Sequence, residues 1–392
     1  MILTNKQEQG LKVAVERFRN REKYTVISGY AGSGKSTLVK FIVASLGVDE
    51  NAVCYATFTG KAAQVLLKKG NKNVSTLHKL LYEHFPKAEG GFLRKPVAAI
   101  PYDIVIVDEC SMAPKELVTQ LLKYPVYVIF LGDPGQLPPI NPDDDNHLLD
   151  KPHVFLDEIM RQAQESEIIR ISMDIREGKS LELFNGKDVK IFNPSELNTG
   201  MLQWADQIIC ATNNKRVGIN NQMRELLGRE GAPQNGDKVI CLRNYWDAIA
   251  ANGDPLVNGT IGTIENVYQT YASYPYYING GGKFDVTCGV FTSDSDANFG
   301  ALNMDQKLIL EGIESLDWKT KYILGKNKRF AHIIPFEFTY GYAITCHKSQ
   351  GSQWDNVLVC EEGFPFAKEE HTRWLYTAVT RAAEKLVIIK KQ

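Results

Sequence analysis

The run Gly29-Tyr30-Ala31-Gly32-Ser33-Gly34-Lys35-Ser36 has the composition and spacing of a phosphate cradle, GxxxxGK[ST]. Glycines let the backbone curl until successive N–H groups converge, and a helix starting at the loop adds its positive end to the same point. The apolar run 24–28 before the loop and the helix-like run 37–43 after it supply strand and helix in the required order. In that setting Lys35 reaches the β- and γ-phosphates of ATP and Ser36 completes the shell of a Mg²⁺ ion. Gly29, Gly32, Ser33, Gly34 and Thr37 make up the rest of the loop. The loop alone does not say what the hydrolysed phosphate drives, because many unrelated activities share it.

Three later segments narrow the chemistry. Asp103-Ile104-Val105-Ile106-Val107-Asp108-Glu109 is an apolar strand ending in two acids. Asp108 suits a Mg²⁺ ligand and Glu109 suits the group that orients or deprotonates an attacking water. A small-molecule kinase needs no such second acid, since its nucleophile belongs to the substrate, so the pair favours hydrolysis. Gln136, in Gly132-Asp133-Pro134-Gly135-Gln136-Leu137-Pro138-Pro139, follows another strand and places an amide where it could sense a γ-phosphate. Arg381, in Leu375-Tyr376-Thr377-Ala378-Val379-Thr380-Arg381-Ala382, is a candidate arginine finger supplied from elsewhere in the chain.

These groups need two scaffolds. The first 175 residues alternate apolar runs, at 24–28, 52–56, 104–107 and 127–131, with helix-like segments, which predicts a mainly parallel sheet covered by helices. A second alternation starts at 206–212, with a helix at 217–227 and later strands at 356–359 and 385–389. Between its halves the pattern turns to strands at 236–242, 257–264, 276–278 and 284–291, with a hairpin signal at Asn258-Gly259 and a helix at 304–315. A chain of 392 residues with 44% hydrophobic content can hold these as separate cores. The net charge of −1 advertises no global affinity for nucleic acid, so any such surface must be local. No run approaches the roughly 18 apolar residues of a membrane span. The seven cysteines are dispersed without a CxxC, which indicates reduced core thiols rather than a metal site, and with the lack of a leader-like start predicts a cytoplasmic protein.

Taken in order, the motifs resemble those of superfamily 1 helicases of the RecD/Dda branch. They are Leu3-Thr4-Asn5-Lys6-Gln7, the phosphate loop, Ala56-Thr57-Phe58-Thr59-Gly60-Lys61, Thr76-Leu77-His78, Asp108-Glu109, the Gln136 loop, Leu156-Asp157-Glu158-Ile159-Met160-Arg161, Thr345-Cys346-His347-Lys348-Ser349-Gln350-Gly351 and the Arg381 segment. The resemblance implies an α/β fold in which two RecA-like parallel-sheet domains form an ATP cleft. It places them at 1–78 with 98–175 and at 176–236 with 334–392, with a short pin hairpin at 79–97 and an SH3-like β-barrel insertion at 237–333. It further implies that Gln7 reads adenine, that Arg161 and Arg381 stabilise transition-state charge, and that Gln136 couples the γ-phosphate to DNA. Thr57, Phe58, Thr59 and His78 would touch DNA from the first domain, and Thr345, His347, Lys348 and Ser349 from the second. Translocation 5′ to 3′ on single-stranded DNA and unwinding of duplex at junctions are implied, in a bacterial or virus-infected bacterial cell. So are action as a monomer and contact with single-strand-binding or replisome proteins. The compact length suits a free-standing motor.

Two segments stay open on the residues alone. Phe85 and Phe92 flank a Gly-Gly turn, which suits either a strand-separating hairpin or a plain surface loop. The run 318–330 carries five basic residues, three aromatics and no acid, which suits a single strand or a solvated helix face. The competing function is a DNA-stimulated ATPase that clamps or remodels nucleic acid without unwinding it.

Overall fold

Thr4 sets the start of the first helix, Asn5–Arg19, through a capping box: its hydroxyl accepts from Gln7 N–H, and the Gln7 side chain accepts from Thr4 N–H. In the computed structural model, which describes residues 3–86, 92–139, 141–160, 165–327, 329–363 and 368–391, this helix covers a parallel sheet. The strands run in the spatial order Val74–Thr76, Val53–Thr57, Ile104–Val107, Tyr127–Gly132, Tyr24–Gly29, Val154–Leu156. Each neighbouring pair is parallel. Ile104–Val107 and Tyr127–Gly132 are buried at every position, as expected of central strands covered on both faces. This is the RecA-like α/β arrangement, and it brings the carboxyl ends of the strands that precede the phosphate loop, Asp108 and Asp133 to one edge.

A second sheet holds Gln207–Cys210, Trp354–Cys360, Ala382–Ile389 and Val189–Phe192 in parallel, with Phe184–Asn185 antiparallel at its edge. Its core takes Ile168, Ile171 and Ile175 from the helix Glu167–Arg176, Trp374 to Tyr376 from the helix Lys368–Val379, and Leu137 from the Gln136 loop. The helix Glu167–Arg176, placed by sequence with the first domain, therefore buries its apolar stripe against the second sheet. Both sheets belong to one compact unit, Met1–Leu81 with Val97–Thr212 and Thr345–Gln392.

The other unit is Tyr82–Pro96 with Asn213–Ile344. Its antiparallel sheet runs Asn298–Asp305, Gly282–Ser293, Ile261–Tyr274, Asp237–Cys241, Phe338–Tyr340. A bridge between Met304 and Phe336 joins the first strand to the residues just before the last, so the sheet curls back on itself. The helix Asn213–Leu226 packs here because Asn220 exchanges hydrogen bonds with Ala343 and buried Arg224 reaches Asp237. Tyr82–Pro86 and Phe92–Pro96 form an antiparallel ladder, and the turn between them lies outside the described residues.

Three local expectations are corrected. Residues 276–278 are a turn, because Asn279, Gly280 and Gly281 all take positive φ and reverse the chain between two long strands. The helix expected over 304–315 is confined to Gln306–Glu311: Asp305 ends a strand and caps the helix through Leu308 N–H, and left-handed Gly312 stops it. Asn258-Gly259 does form a turn, but it leads from Pro255–Leu256 into Ile261–Tyr274, strands that pair with different partners. All seven cysteines are unbridged and buried. Burial pushes the Cys54 and Cys346 thiols up to about 12, which keeps them protonated and inert.

Candidate nucleotide and nucleic-acid site

Gly32 and Gly34 both take φ of 78°, the left-handed values that curl the loop before the helix Lys35–Leu46. A Cβ at Gly34 would lie 2.5 Å from Gln7 Nε2, and one at Gly29 would lie 2.6 Å from Ser33 Oγ. Only glycine fits at these positions. Lys35 Nζ donates to the carbonyls of Gly29, at 2.6 Å, and Tyr30, at 3.1 Å, so its ammonium lies over the loop. Gln7 is 1% exposed and its Nε2 donates to Ser33 O at 3.3 Å. The same side chain thus caps the first helix and braces the phosphate loop.

Asp108 and Glu109 follow their strand directly, and Glu109 N–H donates to Asp108 Oδ1 at 2.9 Å. Glu109 adopts φ of 52°, an unusual conformation for a residue with a side chain, of the kind concentrated at functional sites. Burial raises the Asp108 carboxyl above the ordinary carboxylate range, opposed by the Glu109 N–H and by Lys35. Burial and then the Asp108 charge raise Glu109, while Arg381 and Lys35 pull it back. Ser36 and Asp108 both line a cavity of about 460 Å³, and a hydroxyl with a carboxylate is a donor set that suits Mg²⁺.

The Gln136 loop is fastened to the C-terminal segment. Leu137 N–H donates to Thr377 Oγ1 at 2.9 Å, and Gln350 Nε2 donates to Leu137 O at 3.1 Å. Gln136 is 6% exposed, and its Oε1 is buried without a hydrogen-bond partner among the described residues. An unpaired buried acceptor costs free energy unless something supplies a donor, which fits a water or nucleotide site. Arg381 is buried, with Nε on Thr377 O at 3.1 Å and Nη2 on Thr380 Oγ1 at 3.1 Å. Arg161 lies outside the described residues; the chain leading to it touches the phosphate loop where Met160 N–H donates to Gly32 O.

The residues expected to contact DNA divide into two groups. Phe58 and His78 pair their rings at 5.8 Å, Thr59 caps the helix Gly60–Lys68 through Ala62 N–H, and Lys348 is exposed. A Cβ at Gly351 would lie 2.8 Å from Ala62 Cβ, so the segment after Thr345 lies against the start of that helix. Thr57 and Ser349 differ. Both side chains are buried, and their hydroxyls donate to Thr59 O and Cys346 O, so they shape turns rather than present a surface to DNA. Burial lowers the His347 imidazole below its ordinary range and keeps it neutral. The side chains of Phe85 and Phe92 lie outside the described residues.

Tyr376, Asp133, Thr377 and Gln350 are site residues that the sequence did not single out. Tyr376 and Asp133 sit inside recognisable motifs, but they meet across 243 residues of chain, which no spacing rule reveals.

A family model described as an AAA domain matches residues 3–189, and one described as a UvrD-like helicase C-terminal domain matches 340–389. An uncharacterised protein of Acanthamoeba polyphaga mimivirus is 26% identical over 94% of this chain and 95% of its own length. The ATP-dependent RecD2 DNA helicase of Deinococcus radiodurans is 26% identical over 93% of this chain, which spans 46% of that protein. The Dda helicase of phage T4 is 28% identical over 45% of this chain and 43% of its own length. Among solved structures, a Pif1 helicase from Bacteroides in complex with ADP-AlF3 and single-stranded DNA shares the fold, with a TM-score of 0.57 at 18% identity, covering 99% of this chain and 92% of that one. With a RecA-like sheet carrying the phosphate loop, an AAA-domain model matched over its first half and a helicase C-terminal model at its end, the chain is similar to the superfamily 1 DNA helicases of the RecD/Dda type.

Proposed function

We propose that the chain hydrolyses ATP at this site and converts the hydrolysis into 5′ to 3′ translocation on single-stranded DNA, unwinding duplex at junctions. The observation that carries the reading is that the C-terminal segment bearing Arg381 is hydrogen-bonded to both loops of the nucleotide site, with Ala31 N–H donating to Tyr376 Oη and Leu137 N–H to Thr377 Oγ1, each at 2.9 Å. Lys35 and the loop N–H groups hold the phosphates, Glu109 with Gln136 orients the attacking water, and Arg381 with Arg161 meets the charge that develops on the transferred phosphoryl. Ser36 and Asp108 would hold Mg²⁺, which supplies charge neutralisation between the β- and γ-phosphates. Gln7 serves the adenine end. Phe58, Thr59 and His78, with Thr345, His347 and Lys348, make the path for the strand, and the hairpin Tyr82–Pro96 with Phe85 and Phe92 parts the duplex. The inserted sheet acts as the SH3-like accessory barrel, and the motor works as a cytoplasmic monomer, engaging single-strand-binding or replisome proteins.

Partial duplexes with a 5′ or a 3′ single-stranded tail test this directly. Strand release on the 5′-tailed substrate with ATP, and none on the 3′-tailed one, is the expected result. DNA-stimulated hydrolysis without release of either strand would replace the motor with a clamp.

A further inference from the structure

Tyr376 is 1% exposed, yet its hydroxyl joins two loops of the nucleotide site. It accepts from Ala31 N–H of the phosphate loop at 2.9 Å and donates to Asp133 Oδ2 at 2.7 Å. The other carboxylate oxygen of Asp133 accepts from Gly135 N–H at 2.9 Å, and Gln136 is next in the chain. A hydrogen-bonded path therefore runs from the phosphate loop to Gly135, the residue before the one whose buried amide oxygen has no partner among the described residues. The ring is as closely fitted as the hydroxyl: a Cβ at Gly135 would lie 2.9 Å from Tyr376 Cε1. Burial raises the phenol far above its ordinary range, so the proton that Asp133 receives stays in place at any working pH. The neighbouring Thr377 accepts from Leu137 N–H, and Arg381 follows within the next turn and a half of chain.

We infer that Tyr376 is a positioning residue that makes the phosphate loop and the Gln136 loop respond to nucleotide as one body. Its hydroxyl is taken up by Ala31 N–H and Asp133 Oδ2. Its hydroxyl fixes the distance between the loop that grips the phosphates and the loop that faces them, and its helix carries that constraint to Arg381. The inference rests on the proposed nucleotide site and deepens it.

The test is Tyr376→Phe, which keeps the ring and removes the hydroxyl. Nucleotide affinity is measured with a fluorescent ATP analogue, and amide exchange over residues 133–139 is followed with and without a non-hydrolysable analogue. In the unaltered chain the analogue is expected to slow exchange of this loop severalfold. The variant is expected to bind the analogue within about twofold of the original, lose the slowing, and show a kcat for ATP about tenfold lower at unchanged KM, the size of effect that one positioned hydrogen bond carries. Equal slowing in both proteins, or a KM rise with kcat intact, overturns the inference while leaving the nucleotide site standing. Failure of the unaltered chain to bind the analogue overturns both.

Discussion

Buried charge is handled in opposite ways at the nucleotide site and in the inserted antiparallel region. In the insertion, Asp237 is fully buried and meets Arg224 and Arg229 at 3.3 Å, Tyr342 Oη at 2.8 Å and Gln234 N–H at 2.8 Å. Glu337 is nearly as buried and pairs with Arg243 and Lys321. Each acid there has opposite charges and donors closed around it. At the nucleotide site two acids stand side by side, the Asp108 charge raises the cost of ionising Glu109, and Gln136 Oε1 has no partner among the described residues. Satisfied charge fixes a fold; unsatisfied charge in a concave site waits for a ligand that completes it.

The comparison breaks if the two regions respond alike to loss of a charge. Lys35→Ala has the largest expected effect: DNA-stimulated ATP hydrolysis should fall by at least about a hundredfold, as when a group that stabilises transition-state charge is removed. Its unfolding midpoint should barely move, since among the described residues the ammonium donates to the carbonyls of Gly29 and Tyr30, within its own loop. Phosphate release and thermal melting on the same preparation separate the two outcomes. Asp237→Ala should do the reverse. It strands two arginines in a buried network, and a loss of about 3–5 kcal/mol in urea unfolding is expected, with nucleotide affinity unchanged in whatever fraction remains folded. A stable Asp237→Ala protein would remove the distinction.

A smaller effect sharpens the DNA side of the site. Lys348 is exposed where Ser349 is buried, although both lie in the same motif. Lys348→Ala should weaken single-stranded DNA binding for all sequences and reduce the slope of log affinity against log salt by about 0.7, one phosphate contact on a single strand. Ser349→Ala should leave that slope alone and cost about 1 kcal/mol of stability, the worth of one internal hydrogen bond. An unchanged slope in Lys348→Ala would move the DNA path elsewhere.

The parallel sheets were readable in the sequence because their central strands are buried on both faces and appear as unbroken apolar runs, as at Ile104–Val107. The phosphate loop and the two acids were readable because their chemistry depends on neighbours in the chain. The insertion was harder. Its tyrosine-rich turn at 276–278 has strand composition, and only the positive φ values at Asn279, Gly280 and Gly281 make it a reversal. The helix Glu167–Arg176, which the expected boundary at 175/176 leaves with the first domain, packs on the second sheet; an amphipathic stripe says that a face is buried, not which core receives it. Tyr376 escaped for a related reason: both of its hydrogen-bond partners come from remote loops, and an aromatic in an apolar helix reads as core. The open question at 318–330 divides too. Lys321 is drawn into the Glu314 and Glu337 pairs, while Trp318 stays 61% exposed at the helix start.

The smallest effect concerns a single proton. His347 lies in the segment next to the start of the helix Gly60–Lys68, and burial alone lowers its pKa, with no acid among the described residues to compensate it as Asp237 and Glu337 are compensated by their partners. A base with a lowered folded pKa takes up its proton more readily in the unfolded chain. Stability from this group is therefore complete above the ordinary value of 6.5 and is lost as pH falls through it. Urea midpoints at pH 7.5 and 5.5 should differ more for the original chain than for His347→Gln, which cannot titrate. If the two proteins lose stability equally over that range, the uncompensated burial of His347 is wrong, and the segment from Thr345 to Gly351 must be supplied with charge like the rest of the fold.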